Sequence, residues 1–113
     1  MADVVYIDQE DGKKRVMNNA KLYAKLLGKF CNETKIEPIF TAIEAGNYEE
    51  AQELAHTIKG ISANLSIKDF NEKIVDLEVR IKAKSVEPQV IEAVKASFAA
   101  TLPAVEKVIA ENA

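Results

Sequence analysis

The sequence predicts an all-α fold, and three observations carry the prediction. Ala, Lys, Glu, Leu and Ile dominate the composition, and glycine and proline are few, at 4 and 3 of 113 residues. Apolar residues recur at three- and four-residue spacings, and no stretch alternates apolar and polar residues for long. Four substantial amphipathic segments joined by short connections fit an antiparallel four-helix bundle with a short additional N-terminal helix. The length suits one domain over residues 1–113 with a single modest core.

Taken in order, Val4, Val5, Tyr6 and Ile7 form an apolar lead, and Asp8 is a good N-cap for a short helix to about Val16. Asn18-Asn19 marks the turn out of it. Leu22, Tyr23, Leu26, Leu27 and Phe30 then make one apolar stripe, and Ile36, Ile39, Phe40 and Ile43 make another in a different phase. The helix carrying them should be kinked or interrupted between Thr34 and Pro38. Gly46-Asn47 ends it and opens a helix over Tyr48 to Leu65. Ser66 offers a cap for the next helix, with Phe70, Ile74, Leu77 and Ile81 at heptad-like spacing up to about Lys84. Pro88 suits the first turn of a last helix bearing Ile91, Val94, Phe98, Leu102, Val105 and Ile109, which Pro103 is expected to bend. The phenylalanines at 30, 40, 70 and 98 read as core.

Composition narrows the partners. The net charge of −3 is spread along the chain without a clustered Lys/Arg footprint, which argues for protein partners and against nucleic acid. One cysteine, Cys31, excludes an internal disulfide and is expected to pack as a small hydrophobe. No apolar run approaches the roughly 20 residues of a membrane span. Met1-Ala2-Asp3 lacks the start of a signal peptide, so a cytoplasmic protein is expected, and the apolar stripes suffice to close a monomeric bundle.

The most informative segment is Ala55-His56-Thr57-Ile58-Lys59-Gly60. It sets the only histidine one turn before a glycine, which costs a helix interior roughly 1 kcal/mol relative to alanine. At about 100° per residue, Tyr48, Ala51, Leu54, Ala55, Ile58, Ile61 and Leu65 form the apolar stripe and His56 falls opposite. Gln52, Glu53, Lys59, Gly60 and Ala63 lie within about 60° of it. The imidazole should stand exposed, with neighbouring turns pared down to Gly and Ala, where a second protein can come close.

An exposed histidine can be a metal ligand, a general base, a phosphoryl acceptor or a plain surface residue. Metal binding needs three or four ligands, and only Gln52 and Glu53 are near in sequence. Hydrolysis needs a nucleophile, a pocket and oxyanion donors, none of which this convex face offers. Phosphoryl acceptance asks less, because a neutral imidazole nitrogen is a competent nucleophile and the transfer is mostly positioning plus charge compensation. Lys59 can supply that charge and Gly60 the room for in-line approach. No phosphate-cradling glycine loop exists to bind ATP, so no enzymatic charging of the histidine by this chain alone is expected.

The segment from Leu54 to Leu65 resembles the signature of histidine-containing phosphotransfer (HPt) domains, the helical carriers of two-component phosphorelays. The stretch from Asn18 to Phe30 is similar to that family's second-helix pattern, Ala45-Gly46-Asn47-Tyr48 to its approach to the histidine helix, and Leu77-Glu78 to a pair on the following helix. The resemblance covers about residues 8–84; the last helix is similar only in being amphipathic. It implies a phosphoryl group on His56, with Lys59 and Gly60 in the roles argued above. It further implies that Glu78, 22 positions on, orients the ring by accepting the Nδ1 proton. Gln52, Glu53, Ala63 and Asn64 would border the docking face, though Asn64 equally suits a hydrogen bond near the helix end. Implied partners are response-regulator receiver domains or a hybrid histidine kinase, with Mg²⁺ held by the receiver and no cofactor bound here. Ser66 departs from the family, where glycine is usual; a local turn change without loss of activity is expected. The rival readings are a phosphoacceptor domain of a chemotaxis-type kinase and a scaffold bundle that is never phosphorylated.

Overall fold

A computed structural model describes residues 4–113; the Met1-Ala2-Asp3 start, which bears on the reading of a leader, lies outside the described residues. The described chain forms six helices and no strand: α1 (Gln9–Arg15), α2 (Ala20–Glu33), α3 (Glu37–Glu44), α4 (Tyr48–Asn64), α5 (Lys68–Lys82) and α6 (Pro88–Asn112).

Local chemistry sets most of these boundaries. The Asp8, Asn19 and Asn47 side chains accept from Asp11 N, Leu22 N and Glu50 N at 3.1, 3.0 and 3.3 Å, satisfying amides that a first turn leaves without partners. Pro38 has no N–H to give the Thr34 carbonyl four residues earlier, so α2 stops at Glu33 and α3 restarts with the proline in its first turn. The α3–α4 turn closes on Gly46 at φ 76°, with Asn47 N bonding Ala42 O at 2.9 Å. Pro88 opens α6, which runs unbroken through Pro103.

Helix α4 packs chiefly on α3 and α5, and α6 on α5 and α2, while α1 leans on α2. Between them lies one core that includes Leu27, Ile39, Ile67, Ile74, Leu77, Val94 and Val105, all fully buried. Buried Phe30 and Phe70 meet the partly buried Phe98 within it, with ring centroids 5.1–6.1 Å apart. Cys31 is half-buried against this core, and burial pushes its thiol up, helped by Glu106. Among the described residues no helix is long and apolar enough to cross a membrane.

Four expectations from periodicity need correction. In α4 the buried arc is Ala51, Ala55, Ile58 and Ser62, while Ile61 is 41% exposed and Tyr48 and Leu54 are only partly covered. The reason is the packing, because α4 meets α5 and α3 and leaves its flank toward α2 open. Leu22 likewise drops out of the α2 stripe at 40% exposure. On α6 the fully covered line is Val90, Val94, Ser97, Thr101, Val105 and Val108, with Ile91, Phe98, Leu102 and Ile109 on its margin. Finally, Ser66 does not cap α5, whose N-cap is Ile67 without a side-chain bond.

Ser66 has another task. It sits at φ 57°, in the left-handed region, and closes α4 with Ser66 N bonded to Ala63 O at 3.1 Å and Ile67 N to Ser62 O at 3.0 Å. A glycine would hold this conformation without strain. The serine hydroxyl instead donates to the Asp11 carboxylate on α1. The same turn is tied by Asp8 N to Ser66 O and Lys68 N to Tyr6 O, both 2.9 Å, and by the Tyr23 hydroxyl to Leu65 O at 2.8 Å. Burial, then the charges of Asp8 and Asp11, push the Tyr23 hydroxyl up to about 12, so it stays a donor. Gly12 of α1 lies flat against the Tyr23 ring, where a Cβ would collide with it.

Candidate functional site

His56 projects from the middle of α4, and its side chain is 68% exposed. Its stem is fixed because the opposite face of the same turns, Ala55 and Ile58, is buried. Across the seam, α5 presents Glu78 from the turn beginning with the core residue Leu77. Glu78 is a buried carboxylate, its side chain 4% exposed, and each of its oxygens has a partner on α4. Oε2 lies 3.2 Å from His56 Nδ1, and Oε1 lies 2.6 Å from Lys59 Nζ. Lys82, one turn further along α5, brings its Nζ within 3.9 Å of Oε2.

Charge decides the proton positions. Burial by itself would raise the Glu78 carboxyl, but the hydrogen bond and charge of Lys59, the bond to His56 and the charge of Lys82 together hold it below the usual carboxylate range. An ionised carboxylate only accepts, so the imidazole proton belongs on Nδ1. The Nε2 lone pair is then left facing solvent. Lys59 is half-buried, and with one N–H on Glu78 its ammonium keeps two further donors for an anion arriving at the ring.

Among the described residues, the remaining predicted ones make no hydrogen bond or ion pair with this group through their side chains. Gly60 is exposed, and a Cβ built there meets nothing within 4 Å, so the space above the turn is open. Gln52 is half-buried; Glu53 and Ala63 are exposed. Asn64, also exposed, lines an apolar groove of about 650 Å³ with Leu26, Leu54, Thr57 and Ile61, where α4 stands off from α2. Among the described residues no three His, Cys, Asp or Glu side chains stand together to hold a metal ion.

Three residues at the seam escape a reading by periodicity. Lys82 needs only its spacing of four from Glu78 to be found, once Glu78 is known to matter. Ser62 is fully buried, and its hydroxyl donates to Lys59 O at 3.1 Å. Asn71 of α5 donates its Nδ2 to Lys59 O at 3.0 Å and to Ser62 Oγ at 2.9 Å.

Comparison of the chain with protein-family models, with curated proteins and with solved structures gave no match. The chemistry of the site therefore rests on its own geometry, a solvent-facing imidazole nitrogen backed by a buried carboxylate and flanked by an ammonium group.

Proposed function

We propose that this chain is a phosphoryl carrier of the HPt kind, in which α2 with α3 forms one stave and α4, α5 and α6 the other three of an antiparallel four-helix bundle. The observation that carries the reading is the orientation of His56: Nδ1 held on the buried Glu78, Nε2 free. In the step proposed, the Nε2 lone pair attacks the phosphorus of an aspartyl phosphate on a partner receiver domain. The P–O bond to the aspartate breaks and its electron pair leaves with the carboxylate. The Nδ1 proton stays in place between the ring and Glu78, so the positive charge that develops on the imidazole meets a carboxylate 3.2 Å away. Lys59 turns its spare donors to the phosphoryl oxygens. Any Mg²⁺ sits in the receiver. The reverse sequence hands the group to a second receiver or to a hybrid kinase.

The open space at Gly60 supports docking of a second protein over the ring. The test is incubation of the wild type and His56→Gln with a phosphorylated receiver domain, followed by assay for acid-labile, alkali-stable phosphate. Label on the wild type alone is expected. Label that survives His56→Gln, or no label from several receivers, would overturn the proposal.

A further inference from the structure

We propose that Asn71 is a positioning residue that clamps the glycine-softened turn of α4 and so holds His56 and Lys59 in register with Glu78; its consequence for transfer rests on the phosphocarrier reading above.

The need for a clamp comes from Gly60. A mid-helix glycine with nothing around it leaves the backbone free to sample other conformations and opens it to water. The turn concerned is the one on which the site depends, because the Gly60 amide bonds back to the His56 carbonyl in an α-helix. Loosening there would let the ring and Lys59 drift from a carboxylate that belongs to a different helix.

Asn71 answers this from α5, the helix that also bears Glu78. Its amide nitrogen bonds Lys59 O at 3.0 Å and Ser62 Oγ at 2.9 Å, bracketing Gly60 on both sides. The carbonyl of Lys59 can only accept, which fixes the orientation of the Asn71 amide. Ser62 completes the arrangement with its own donation to Lys59 O at 3.1 Å, from a position with no solvent access. Asn71 lies seven residues before Glu78, two turns along one helix, so the clamp and the carboxylate move as one rigid body. The open glycine gives a partner access to the ring, and the cross-helix amide offsets the rigidity that access removes.

The experiment uses the full chain with Asn71→Asp, which keeps the size but sets a carboxylate against the Lys59 carbonyl, and Asn71→Ala, which carries the same readouts should the first not fold. Amide hydrogen exchange is measured across α4, and the protonation of the two His56 ring nitrogens is read by nitrogen NMR. Exchange at residues 60–63 should accelerate about tenfold beyond any change elsewhere in α4, equivalent to about 1.4 kcal/mol of local opening. The share of rings with the proton on Nδ1 should fall. Adding Gly60→Ala, which stiffens the helix directly, should restore both. Phosphoryl uptake from phosphoramidate should slow in the Asn71 variants. Exchange at 60–63 that rises no more than in the rest of α4, with an unchanged ring, overturns the clamp. A wild type that takes no phosphoryl group from phosphoramidate counts against the carrier reading alone, since exchange and ring protonation still decide the role of Asn71.

Discussion

Glu78 gives one oxygen to Lys59 at 2.6 Å and the other to His56 at 3.2 Å, so this one side chain sets both the charge and the tautomer of the site. Its carboxyl is held below the ordinary glutamate value of about 4.3, and the folded state therefore binds fewer protons than the unfolded chain in acid. The stability this contributes is fully present above the unfolded value and is lost as pH falls through the folded one. Glu78→Gln should accordingly flatten the loss of stability on acidification, as measured by urea unfolding from about pH 6 to pH 3. The same variant should slow phosphoryl uptake about tenfold, the size of one charge-assisted hydrogen bond; uptake at the wild-type rate would remove Glu78 from the mechanism. Gly60 makes an opposite test. Nothing crowds it, and glutamine is the better helix former, so Gly60→Gln should leave stability equal or raise it by about 0.5 kcal/mol. Transfer from a receiver should nonetheless slow. Normal transfer in this variant would mean that the partner approaches from another side.

At the level of elements, the turn between α4 and α5 shows how local signals can be read and still be misassigned. Serine after an apolar run reads as an N-cap, yet Ser66 is the left-handed residue that ends α4, at φ 57°. The conformation costs a non-glycine residue about 1 kcal/mol, and the hydroxyl bond to Asp11 offsets that. Two substitutions separate the terms. Ser66→Gly loses the bond and the strain together and should shift stability by less than about 0.5 kcal/mol. Ser66→Ala loses the bond and keeps the strain, and should cost about 1–2 kcal/mol by urea unfolding. Equal stability of the two would show that the left-handed strain costs nothing, and a Ser66→Ala as stable as the wild type would show that the hydroxyl contributes nothing. By contrast, the Asp8 cap, the turns at Asn18-Asn19 and Gly46-Asn47 and the break before Pro38 stand where the sequence predicts them, since each depends on contacts within four residues.

Across the whole molecule, one aromatic centre binds α5, the helix that carries Glu78, to α2 and α6. Phe70 of α5 is fully buried and touches Phe30 of α2 and Phe98 of α6, at centroid distances of 5.8 and 5.1 Å. Phe70→Ala should therefore cost about 3–5 kcal/mol, with a lower urea midpoint as the readout. A loss under about 1 kcal/mol would mean that the centre repacks around the gap.

Helix content, the interruption at residues 34–36, the helix bearing His56 and the exposure of its ring were all legible from the chain, because they follow from short-range periodicity, caps and breakers. The outward face of Gly60 was legible for the same reason. Other features needed the packed molecule. Helical periodicity places Glu78 and Asn71 on a face of α5 but does not say which turn of α4 they meet; that depends on how the two helices cross. The burial of Ser62 in place of Ile61, the second lysine at Glu78 and the bracket around Gly60 are consequences of that crossing. The sequence by itself determined the helices and the exposed histidine, through interactions reaching no further than one turn. A family resemblance pointed to Glu78, but only the tertiary structure decided that this carboxylate is buried and stands behind that histidine, because the contact joins residues 22 positions apart on two helices.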